Sequence, residues 1–178
     1  MSNIRFISAA LAITFVGAIL LLPAAARAQD QPDFLSPAEA DKVRDAAEPA
    51  DRIKLFLDFA QDRLKKVQYE LQLTSPQVDK PQLVKGLLQS FSSCMDEAAD
   101  RIEEGQHAAA KIRPAIKDME KRGKAYLETL KTIEAANGPE LGSYKDSLDD
   151  AISATEDALN DTEKASKEYG SGPIRRKQ

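Results

Sequence analysis

The sequence has no tryptophan, one cysteine and one histidine in 178 residues, and each scarcity removes a class of protein. A lone Cys94 has nothing to pair with inside the chain, so no internal disulfide framework holds the fold. Between Phe91 and Met95 it reads as a small buried hydrophobe, with an intermolecular disulfide as the alternative. A lone His107 is the single histidine base available to a serine or cysteine nucleophile. Cys94 and His107 fall on what reads as one helix, about 19 Å apart at ~1.5 Å per residue, and cannot meet there. The 8 glycines never cluster into a phosphate-binding loop. Basic charge is also short. Of 25 Lys+Arg and 29 Asp+Glu, Arg5 and Arg27 lie in the N-terminal leader described next, so 23 against 29 leaves −6 beyond it. A phosphate backbone needs a basic face, so nucleic acid is not an expected partner.

What is present begins with Arg5 and an uncharged apolar run from Phe6 to Leu22. Pro23 and a run of alanines follow, ending Ala26-Arg27-Ala28. Small residues at Ala26 and Ala28 suit signal-peptidase cleavage, so residues 1–28 read as a signal peptide and Gln29 as the mature start. The alternative is an uncleaved anchor, for which the run is slightly short. The expected location is outside the cytoplasm, periplasmic or extracellular, with no stable membrane span after cleavage.

The rest is rich in alanine, leucine, lysine, glutamate and aspartate, which favours helices. Residues 29–35 read as a flexible lead-in, 36–169 as a helical domain and 170–178 as a tail with a basic end, Arg175-Arg176-Lys177. Ser36-Pro37-Ala38-Glu39 has the elements of a capping box and opens a short helix to about Ala47. Pro49 then breaks the chain. From Asp51 to Leu73, the residues Ile53, Leu57, Ala60, Leu64, Val67 and Leu71 draw one apolar stripe down a helix. Ser75-Pro76 and Asp79-Lys80-Pro81 both look like starts of the next helix.

From Val84 a second stripe takes in Leu88, Phe91, Met95, Ala98 and Ile102. Ala109, Ile112, Ile116, Met119, Tyr126, Leu130 and Ile133 continue it in the same phase, and Gly105 and Gly123 fill the two missing slots. Unbroken phase predicts one helix from about Gln82 to Ala136, kinked near Pro114. Asn137-Gly138-Pro139 ends it. A last helix to about Tyr169 carries Leu141, Tyr144, Leu148, Ala151, Thr155, Ala158, Thr162, Ala165 and Tyr169 on one stripe, and its small-residue end is expected to fray. The fold expected is all-α: an elongated antiparallel bundle around one long kinked helix, or alternatively a compact four-helix bundle.

Few residues suggest chemistry. Glu104-Gly105-Gln106-His107 has the Glu-x-x-His spacing of di-metal carboxylate bundles, but such sites need two of these motifs and two more glutamates. Haem would need His107 with Met95 or Met119, and no Cys-x-x-Cys-His is present. Neither metal, cofactor nor enzymatic activity is expected. Carboxylates spaced four from a basic residue, such as Asp62 and Lys66 or Glu97 and Arg101, read as helix-stabilising pairs.

Two short resemblances are visible. Leu73-Thr74-Ser75-Pro76-Gln77 resembles the L-T-x-x-Q motif of small helical periplasmic stress chaperones, which carry it twice; one copy is found here. Glu48-Pro49-x-x-Arg52-Ile53-x-Leu55 with Ala60-x-x-Arg63-Leu64 resembles a stretch of uncharacterised exported helical proteins of bacteria. That resemblance implies helices and export and no activity.

Candidate interaction residues lie on the same helix. Arg52 and Arg63 are three turns apart and share a face, either as surface arginines beside the stripe or as a grip on an acidic partner. Leu55 and Phe59 are four apart and point away from the main stripe, a patch that needs a cover. The short helix folding back across Pro49 to lay Val43 on them is the favoured cover, and a second copy of the chain the alternative. A monomer is therefore favoured. The expected function is an exported interaction or scaffold module with an unknown protein partner; a holdase-type chaperone or ligand-binding bundle is the runner-up.

Overall fold

In the computed structural model the chain divides into two units, residues 1–30 and 31–178. The described residues are 34–73, 79–105, 109–136 and 138–170, all in the second. The expected signal peptide, residues 29–33 of the lead-in, Ser75-Pro76, His107 and residues 171–178 of the tail lie outside them. Five helices account for most of what is described: α1 (Pro37–Asp45), α2 (Pro49–Gln72), α3 (Lys80–Glu104), α4 (Ala109–Ala136) and α5 (Leu141–Gly170). The protein is an all-α helical bundle, and no strand occurs among the described residues.

The stripes become the core. Ile53, Leu57, Ala60, Leu64 and Val67 of α2 are buried, as are Val84, Leu88, Phe91, Met95, Ala98 and Ile102 of α3. Ile112, Ile116, Met119, Tyr126 and Leu130 from α4 join one continuous cluster with Leu141, Tyr144, Leu148 and Ala151 from α5. Side chains repeating at three and four residues share a helical face, so one face per helix leaves water.

α2 packs against α3 and α4, and α5 packs against the same two. The four long helices therefore close a ring in the order α2, α3, α5, α4. Ion pairs give the directions. Lys111 with Glu48 and Arg122 with Asp58 climb α4 and α2 together, so these two are parallel. Lys145 with Glu134 and Lys131 with Glu156 set α5 antiparallel to α4. α3 and α4 occupy opposite corners, where the rings of Phe91 and Tyr126 meet edge to face with centroids 5.8 Å apart.

That contact rules out a single spine from Gln82 to Ala136. In one helix Phe91 and Tyr126 would stand about 52 Å apart at ~1.5 Å per residue. The compact four-helix alternative is the arrangement built, and the break comes at Gly105 rather than at Pro114. Gly105 ends α3 with φ −72° and ψ 0°. A Cβ there would lie 2.8 Å from Ile112 Cδ1 and 2.9 Å from its Cγ2, so the gap in the stripe is the space Ile112 occupies. Gly123 likewise admits Leu159 of α5, whose Cδ2 would meet a Cβ at 2.8 Å. Pro114 is exposed near the start of α4. It stands inside α4, in the second turn, and its missing N–H forgoes the bond to the Ala110 carbonyl without ending the helix.

α5 is helical to Gly170. Ala158, Thr162 and Ala165 are buried there. The buried hydroxyls of Thr155 and Thr162 donate to the carbonyls of Ala151 and Ala158 at 2.7 and 2.6 Å, so small residues let the helices approach without stranding a polar atom.

Candidate functional site

α1 is too thin to hold itself. Of its residues only Ala40 is buried, and Val43 is half-buried against the core. It begins with a complete capping box. The Ser36 N–H and Oγ each donate to Glu39 Oε2 at 2.9 Å, and Ser36 Oγ accepts the Glu39 N–H at 3.4 Å. The remaining capacity of that carboxylate goes to α2. Arg63 Nη1 donates to Glu39 Oε1 at 2.8 Å and Nη2 to Oε2 at 2.6 Å, a two-pronged charge-assisted pair. Arg63 Nη1 also reaches Asp62 Oδ2 at 2.8 Å, and Nη2 reaches the Phe34 carbonyl at 3.4 Å.

At the other end, Arg52 Nε donates to the carbonyl of Ala46, the residue that caps α1, at 2.9 Å. A cation at a helix C-terminus also meets the negative end of its dipole. α1 therefore lies antiparallel along α2, tied at its start by Arg63 and at its end by Arg52. Between those ties Phe59 is buried and Leu55 half-buried, and Phe59 meets Phe56 edge to face with centroids 6.4 Å apart.

The four residues singled out by sequence thus do come together. What the two arginines hold in this structure lies within the chain. Arg63 is only 8% exposed, and the acidic group it grips is Glu39 of the same chain. Phe34 and Leu35, expected in a flexible lead-in, are half-buried against the core as part of the same clasp. Glu39 was legible as a capping residue; its second role was not, because the box already accounts for it.

Electrostatics follow from this geometry. The Arg63 hydrogen bond holds the Glu39 carboxyl down at about 2 against the opposing effect of burial, with Ser36 assisting. Glu39 in turn raises Arg63 further, against desolvation. Cys94 of α3 is fully buried within electrostatic reach of both. Desolvation pushes its thiol up to about 12, so it stays protonated and is no nucleophile. A fully buried sulfur also offers nothing to an intermolecular disulfide in this conformation.

Other polar clusters hold the bundle together. Arg122 of α4 reaches Asp58 at 2.8 Å and the Tyr126 hydroxyl at 2.9 Å, and that hydroxyl donates to the Leu57 carbonyl at 2.9 Å. Lys80, buried at the start of α3, joins the Leu73 carbonyl at 3.0 Å to Glu140 at 3.5 Å. A cleft of about 290 Å³ between α3 and α5 is lined by Asp100, Glu103, Asp161, Lys164 and Glu168 among others. Among the described residues no group of three or more His, Cys, Asp or Glu could hold a metal ion, and Glu104 is paired with Arg101. No described helix is long and apolar enough to cross a membrane.

Among the described residues, the clasp brings charge, aromatic surface and a lightly buried helix together. Comparison with known proteins adds no family to it: the chain matches no protein-family model, no curated protein and no solved structure.

Proposed function

We propose that this chain is an exported helical interaction module of the bacterial cell envelope, and that it works by holding a helix rather than by catalysis. The observation that carries the reading is the strip on α2 from Arg52 to Arg63. Two arginines three turns apart bind the two ends of a short helix, with Leu55 and Phe59 between them. Such a strip recognises backbone, charge and a small apolar face, which is the chemistry of helix-in-groove recognition. The leader ending Ala26-Arg27-Ala28 supports export, and the short stretch around Glu48 to Leu64 that resembles exported bacterial helical proteins agrees with it.

Affinity capture from native envelope extract tests the reading. Wild-type protein should retain a partner that a Phe59→Glu variant loses, while α3 to α5 resist proteolysis in both. Equal retention by both, or none by either, sinks it. Intact mass of protein recovered from the exported fraction tests the leader. It should begin at Gln29, and a mass that includes residues 1–28 overturns cleavage.

A further inference from the structure

α1 is held through few of its own side chains. Arg63 reads a glutamate in the first turn, Arg52 reads the carbonyl at the last, and the apolar side between them need be no larger than Ala40 and Val43. Arg52 and Arg63 stand about 16 Å apart along α2, and a helix of nine residues is about 13 Å long at ~1.5 Å per residue, so the site also measures length.

We propose that α1 is a built-in stand-in for a partner's helix, and that the strip between Arg52 and Arg63 is a docking site for a short amphipathic helix carrying a carboxylate in its first turn. The inference rests on the interaction reading above and names the class of partner.

Three features support exchange. The first is the light hold on α1. α2 buries eight residues, among them Ile53, Phe56, Leu57, Phe59 and Leu64, whereas α1 buries Ala40 alone. The principal tie is one enclosed ion pair, and desolvation of both partners offsets much of their attraction. A segment held this way opens by itself far more often than the core unfolds.

The second feature is what opening leaves behind. Arg63 would keep Asp62 at 2.8 Å and lose both of its bonds to Glu39. A guanidinium that has lost a two-pronged partner favours another carboxylate of the same geometry, so the vacated strip selects for one at that end. The third is independence from the bundle. Ile53, Leu57, Ala60, Leu64 and Val67 face the main core, so α2 need not move when α1 leaves.

Cys94 gives a readout, since it is fully buried on α3 and near enough to the Arg63–Glu39 pair to feel both charges. In the full chain, Glu39→Gln should speed alkylation of Cys94 by roughly tenfold or more, the scale expected for losing a charge-assisted bond. The rate should change little in urea below the unfolding transition, because local opening exposes little surface. A synthetic peptide of residues 34–47 with its glutamate intact, added at millimolar concentration, should then restore protection in a saturable way. The same peptide with glutamine at that position should not. If Glu39→Gln lowers the melting temperature of the whole bundle, Arg52→Ala, which leaves the Arg63 pair in place, is the variant to use.

An alkylation rate unchanged by either variant, or one that rises with urea as steeply as global unfolding, overturns the strap. Accelerated labelling with no protection by the peptide overturns the docking site. Protection that appears instead on concentrating the protein alone, with a dimer by light scattering, reassigns the strip to a second copy of this chain and overturns the partner assignment. Peptide docking without any captured envelope protein would retain the site and reject only the interaction function on which the partner class rests.

Discussion

The two sides of α2 are held by different physics. On one side Ile53, Leu57, Ala60, Leu64 and Val67 lose all or nearly all contact with water against α3 and α4. On the other, Arg63 and Arg52 hold the two ends of α1 through an ion pair and a bond to a carbonyl. Apolar burial is indifferent to pH and scales with area. The clasp depends on the charge of one carboxylate and uses little area. The same helix thus anchors a permanent core and a separable strap.

The largest test of the contrast is Leu64→Ala, which empties a buried position on the core side. It should destabilise the whole bundle by about 2–5 kcal/mol, seen as a lower urea midpoint with every helix lost together. An unchanged midpoint would mean that the stripe contributes no packing. On the other side, release of α1 lets the new carboxylate of Phe59→Glu reach water and should cap its cost at about 1–3 kcal/mol. Its mark should be local. Limited proteolysis should cut first between Ser36 and Pro49 while α3 to α5 resist. Simultaneous loss of all helices would erase the distinction between the two sides.

Acid separates the regions without mutation. Glu39 is held near 2 by Arg63, against an ordinary value of 4.5. Its contribution to the clasp is therefore complete above about pH 4.5 and is lost as pH falls toward 2. Asp62, facing the same arginine, is also lowered, so it acts in the same direction. Asp96, exposed on α3, shows the opposite shift. Partial desolvation and the like charges of Asp100, Asp157 and Glu97 raise it, so protonation on acidification relieves repulsion between α3 and α5. Hydrogen exchange near pH 3, corrected for intrinsic rates, should show α1 unprotected and the α3–α5 pair retained. Equal loss in both would refute this division.

The smallest expected effect is Gly123→Ala. The added Cβ meets Leu159 at 2.8 Å, yet Leu159 is only half-buried and its tip can turn. Relief of the glycine's helix penalty, about 1 kcal/mol, should nearly cancel the displacement. Gly105→Ala should be worse, because the fully buried Ile112 presents two branches at 2.8 and 2.9 Å. Thermal melts of the two variants order them.

Most of the core was legible because three- and four-residue spacing is a direct imprint of one buried helical face. The turn between α3 and α4 was not. The stripe keeps its phase through Gly105, and a straight helix and a folded-back pair carry the same pattern. The space that glycine leaves for Ile112 marks the difference, and it exists only in three dimensions. At the clasp, Arg52, Leu55, Phe59 and Arg63 could be named from their positions on the far side of α2. The partner of Arg63 could not, since Glu39 already had a complete local explanation with Ser36.

The ring order of the helices also sets a timetable for folding. α2 with α3, and α4 with α5, are hairpins whose helices are joined by short links, so each closes with little loss of chain entropy. Phe91 and Tyr126 sit on different hairpins and touch only across the centre of the ring. Their contact, with the Tyr126 hydroxyl on the Leu57 carbonyl, can form only when the two hairpins dock. Substitutions at this junction should chiefly accelerate unfolding and leave the folding rate nearly unchanged, whereas substitutions inside either hairpin should slow folding itself.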